Sequence, residues 1–118
     1  MATNFVCNGE TLTYANAGAA IASGAPLLVG VRLGVALGDI AATSGTGEVA
    51  VSGVFAVRKV TGAITQGALL YWDADANPVE GTAGSGALTT TATDNTLAGF
   101  AYAAAASGAA TVQIKLNA

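Results

Sequence analysis

Thr111-Val112-Gln113-Ile114-Lys115-Leu116 is the stretch that decides the fold class. Val112, Ile114 and Leu116 fall on one side of an extended chain, and Thr111, Gln113 and Lys115 fall on the other. Strict alternation of this kind marks an antiparallel strand with one face on a core and one in water.

Upstream, short apolar or β-branched runs recur between Gly- and Asn-containing breaks, the rhythm of a small sandwich or barrel. Phe5-Val6-Cys7 reads as a strand entering a turn at Asn8-Gly9, a pair that supplies the positive φ values of a two-residue hairpin. Thr11 to Tyr14 is the return strand, with Leu12 and Tyr14 on one face. Asn16 to Ser23 is alanine-rich, but Gly18 and Gly24 bracket too short a segment for a stable helix, so it reads as loop. Ser23 to Pro26 is a turn, Leu27-Leu28-Val29 begins a buried strand, and Arg32 to Leu37 is its hairpin partner.

The longest strand candidate is Glu48 to Val60, with a bulge or bend at Gly53 and Arg58-Lys59 as its solvated tip. Leu69 to Trp72 is a strand that stops at the turn sequence Asp73 to Pro78. Residues 81 to 87, containing Gly84, Ser85 and Gly86, read as the most flexible segment. Thr89-Thr90-Thr91 is strand-like, and Leu97 to Tyr102 is a strand with Phe100 and Tyr102 on one side. The expected architecture is all-β: one antiparallel β-sandwich or barrel, jelly-roll-like, with Gly-rich loops, in a single domain spanning residues 1–118.

The composition bounds the function. Only 9% of the 118 residues are charged and 53% are hydrophobic, where ordinary soluble domains carry about 25% charged residues. A surface this poor in charge is either covered by Ser, Thr, Asn and backbone or buried against protein. The formal net charge is −3, and Arg32, Arg58, Lys59 and Lys115 are the only basic residues, so no basic face exists for nucleic acid. Pro26 to Leu37 is the most apolar stretch, but Gly30, Arg32 and Gly34 interrupt it and it is too short to span a membrane. The opening Met1-Ala2-Thr3-Asn4 lacks the basic, apolar pattern of a secretory signal. The single cysteine, Cys7, permits no intrachain disulfide and fits assembly in a cytoplasm.

The chain has no histidine, which removes the commonest general base and metal ligand. Asp73 and Asp75 could face the same way as an acid pair, but they flank a turn in which aspartates cap backbone donors. Asp73-Ala74-Asp75-Ala76-Asn77 opens like a calcium loop, yet Pro78 stands where glycine is needed and Gly84 where the bidentate glutamate belongs. No glycine cluster has phosphate-loop spacing. The reading is no catalytic residue, no metal and no cofactor.

The order of segments resembles the capsid cement, or head decoration, proteins of tailed bacteriophages. The resemblance is carried by Ser23-Gly24-Ala25-Pro26-Leu27-Leu28-Val29-Gly30 with Leu33 to Leu37, and by Gly53-Val54-Phe55 with Lys59. It continues through Gly67-Ala68-Leu69-Leu70-Tyr71-Trp72-Asp73, the Thr89 to Gly99 run, and the close at Thr111 to Asn117. Asp94 departs from the family pattern, where glycine is commoner in the Thr-rich run.

The resemblance implies a structural virion protein on the outer surface of the phage head. Such a protein is synthesised in the bacterial cytoplasm, binds the major capsid protein and forms a homo-oligomer, with a trimer favoured and a dimer as the alternative. Candidate capsid or subunit contacts are Thr3, Asn4, Phe5 and Val6, which are free to pair as a strand, together with Tyr71 and Trp72. The alternative is a head-displayed module that stacks host glycans on Tyr71, Trp72 and Tyr102.

Overall fold

The computed structural model describes residues 9–117, so Phe5 to Asn8 and the expected tight hairpin lie outside the described residues. Among the described residues there are nine strands and no helix. They are β1 (Thr11–Ala15), β2 (Pro26–Val29), β3 (Arg32–Ala36), β4 (Thr46–Ala50), β5 (Val54–Arg58), β6 (Leu69–Asp73), β7 (Ala87–Thr89), β8 (Thr96–Ala101) and β9 (Thr111–Leu116). Among the described residues no helix is long and apolar enough to cross a membrane.

The strands form two antiparallel sheets, a four-stranded one in the order β1-β4-β3-β2 and a five-stranded one in the order β5-β9-β8-β6-β7. β9 sits centrally between β5 and β8, and its Val112, Ile114 and Leu116 are buried as their alternation requires. The five-stranded sheet curls until its outer strands meet: Val60 N–H donates to the Leu88 carbonyl at 3.0 Å, and Lys59 pairs with Leu88 in a parallel bridge. That contact removes two of the four sheet edges, which are otherwise open to unwanted pairing.

The main core lies inside this curl and against β3. Leu33, Val35, Val57, Leu70, Trp72, Leu88, Val112, Ile114 and Leu116 pack together there. A second cluster, built on Ala36, Ile40 and Val49, occupies the opposite face of the four-stranded sheet, with Leu12, Tyr14, Ile21, Leu27 and Val29 half-buried around it. The Asn16–Gly45 region is tied by Asn16, whose side-chain amide donates to the Ala19 and Ala41 carbonyls while its Oδ1 accepts the Gly18 N–H.

Several sequence expectations need correction. The single strand from Glu48 to Val60 is two strands in different sheets, and Gly53 (φ 103°) is where the chain crosses. A bulge would keep one ladder; a left-handed residue here redirects the chain instead. Asn117 clips the crossing by donating to the Val51 and Leu33 carbonyls at 2.7 and 2.9 Å. Lys59 is not solvated but fully buried. β2 is half-buried rather than buried. Only Thr89 of the three threonines is in a strand, and Tyr102 lies just beyond β8.

Asp94 has φ 61°, the left-handed conformation that glycine reaches without strain and aspartate tolerates at a cost. Its neighbour Asn95 steadies the turn, donating from its side chain to the Thr91 carbonyl at 3.0 Å. Asp94 is thus a strained residue in a turn that the Asn95 side chain holds.

Candidate functional site

Residues directly opposite one another in antiparallel strands share a face, so the pairing register shows what the five-stranded sheet turns outward. Lys115 on β9 stands between Val54 on β5 and Phe100 on β8, and Phe100 faces Leu69 on β6. Beside this row, Ala56 faces Gln113, and the Tyr102 N–H donates to the Gln113 carbonyl. Past the irregularity between Leu70 and Tyr71, Tyr71 faces Leu97.

Val54, Leu69, Leu97 and Tyr102 are 40%, 53%, 45% and 53% exposed, and Phe100 and Tyr71 are half-buried. Lys115 is the one charged side chain in these rows. Six large apolar or aromatic side chains on one outer face form a surface that loses little by leaving water.

Trp72 is on the inner side, in the core and 6% exposed, while its neighbour Tyr71 is on the outer face. The Arg58 guanidinium lies 5.2 Å from the Trp72 ring centroid and is held by the Gly86 and Ser85 carbonyls, at 2.6 and 2.8 Å. Burial lowers the Arg58 pKa, but a guanidinium stays charged throughout the working range. Arg58 and Trp72 therefore form a structural stack at the seam. Thr3, Asn4, Phe5 and Val6 lie outside the described residues.

Of the Asp73 and Asp75 pair, the Asp73 carboxylate is used locally. Asp73 Oδ1 accepts the Asp75 N–H at 3.1 Å, which is turn capping. Asn77 Oδ1 accepts the Gly84 N–H at 2.6 Å. Among the described residues no group of three Cys, Asp or Glu side chains is placed to hold a metal ion. A shallow concavity of about 510 Å³ beside the Ile21–Ile40 bridge is lined by Ala20, Ile21, Ala22, Asp39, Ile40 and Ala41. Asp39 is its only charged residue, and its carboxylate already accepts the Ser23 N–H.

Two structural features escaped the sequence reading: the full extent of the outer face, and the burial of Lys59. The first is hidden by the bulge at Ala98, which breaks period-two spacing between Leu97 and Phe100.

Among the described residues the chain is a helix-free pair of packed sheets with an apolar outer face, a small β-rich fold. The chain belongs to the phage cement protein family, whose model matches residues 6–116. That membership gives it a structural, capsid-associated role. No curated protein and no solved structure matches the chain significantly.

Proposed function

We propose that this protein is a non-enzymatic cement that binds the outer surface of a phage head and reinforces the shell. The observation that carries this reading is the apolar outer face of the five-stranded sheet, from Val54 across Phe100 to Leu69. Charge-poor surface of this kind is cheap to desolvate and suits burial against the major capsid protein or a neighbouring copy. A symmetric homo-oligomer, favoured as a trimer, would explain how so few charges keep the free protein soluble. Tyr71 belongs to the contact face, and Trp72 supports it from beneath. Thr3, Asn4, Phe5 and Val6 supply an extended segment for strand pairing with the capsid protein or a second copy.

The glycan-stacking alternative has less to build with, since Trp72 is buried, Tyr71 is half-buried and Tyr102 is 53% exposed.

Leu69→Glu tests the face. Added to capsids lacking the protein, this variant should show at least a tenfold loss of occupancy, with thermal unfolding of the free protein unchanged. Full occupancy would remove the outer face from the docking role.

A further inference from the structure

We propose that the open edge of β1 is a strand-docking site for the N-terminal segment Thr3–Cys7 of a second copy of this chain. The proposal rests on the reading of Thr3–Val6 as a contact segment and names its acceptor.

The two sheets have four edge strands, β1, β2, β5 and β7. The edges of β5 and β7 meet at Lys59 and Leu88. The edge of β2 has only four residues and begins with Pro26, which has no N–H to offer. β1, Thr11-Leu12-Thr13-Tyr14-Ala15, has neither proline nor lysine and is rich in strand-favouring residues. It is the unguarded edge among the described strands.

Hydrogen-bond direction shows what that edge presents. The Glu10 carbonyl accepts from Val51, and the Asn16 N–H donates to Gly45. Bonding alternates along an antiparallel ladder, so Glu10, Leu12, Tyr14 and Asn16 turn their backbone groups to β4. Thr11, Thr13 and Ala15 turn theirs to the open side.

The same parity works against a tight hairpin within one chain. A two-residue turn at Asn8-Gly9 needs the Glu10 backbone to bond Cys7, but Glu10 is directed at Val51 on the other side. A hairpin that closes on Thr11 instead needs a loop of at least three residues, Asn8 to Glu10, with the Glu10 carbonyl fixed on Val51. The described chain thus begins beside this edge in a register that a two-residue turn at Asn8-Gly9 does not fit. Thr3–Cys7 has five residues, the length of β1. A short connection that a tight turn does not fit favours strand exchange between copies.

Amide hydrogen exchange with Thr13→Pro as the variant tests this. The Thr13 N–H points to the open edge, so proline there spares the β1–β4 ladder and removes an edge donor. The Thr11, Thr13 and Ala15 amides of the wild-type protein should exchange at least a hundredfold more slowly at high than at low protein concentration. Thr13→Pro should keep its circular dichroism spectrum and lose the concentration-dependent protection at Thr11 and Ala15. Should Thr13→Pro fail to fold, deletion of residues 2–8 is read the same way. Fast exchange of these amides at every concentration, or slow exchange independent of concentration, would overturn the proposal; the second result would mean pairing within one chain. Capsid occupancy is not used, so failure here is separable from failure of the cement reading.

Discussion

Lys59 Nζ donates to the Ser107 carbonyl at 3.1 Å, joining positions 48 residues apart. The same ammonium donates to the Val60 and Gly62 carbonyls, each at 3.0 Å. Three acceptors match the three donors of a protonated lysine, and none of the three is a carboxylate. The Lys59 backbone is engaged as well, donating to Ala110 and accepting from Val79. One fully buried side chain thus ties the end of β5 to the turn after it and to the loop before β9.

Lys59→Met keeps most of the side chain's volume and leaves three carbonyls without their donor. The expected loss is about 2–3 kcal/mol of unfolding free energy, since each buried unsatisfied group costs about 1–3 kcal/mol before relaxation. Urea denaturation of the two proteins checks this; a loss below about 0.5 kcal/mol would mean the carbonyls find other partners.

The pH dependence of the same pair has a definite sign. Burial lowers the Lys59 pKa below its ordinary 10.5. Between the lowered value and 10.5 the unfolded chain binds a proton that the folded chain does not, so stability rises with pH across that window. The wild-type advantage over Lys59→Met should therefore be larger at about pH 10 than at about pH 8. Paired urea titrations showing the opposite trend would mean that the three carbonyls hold the proton more tightly than burial expels it.

Asp94→Gly should stabilise the protein. The residue sits at φ 61°, and relief of left-handed strain offsets the extra flexibility of the unfolded chain, for a net gain of about 0.5 kcal/mol. A raised thermal midpoint is the expected result.

Asn117→Ala should cost about 1–3 kcal/mol by releasing the Val51 and Leu33 carbonyls at the sheet crossing. Asn117 Oδ1 is itself buried without a protein partner, which tempers the loss. Chemical denaturation measures it, and the change should fall on unfolding free energy without altering secondary structure.

The strands that alternate cleanly were legible in the sequence, β9 above all, because one face meets the core and the other meets water. The crossing at Gly53 was not. Val49, Val51, Phe55 and Val57 keep one parity through the glycine, so the pattern reads as a single strand, although Val49 and Val57 end in different clusters. Lys59 was misplaced for a related reason. A charged residue at a strand end usually reaches solvent, and a cage of carbonyls from residues 60, 62 and 107 has no signature in side-chain types. The outer face was half legible: Tyr71 was singled out, but Phe100 and Leu97 share a face only because Ala98 is an extra residue in β8.

The central claim is that this chain reinforces a viral shell, and heating particles assembled with and without it tests that most directly. Particles lacking the protein should assemble but release their DNA several degrees lower, and adding back the purified protein should restore the wild-type midpoint. Equal midpoints with and without the protein at full occupancy would contradict a reinforcing role.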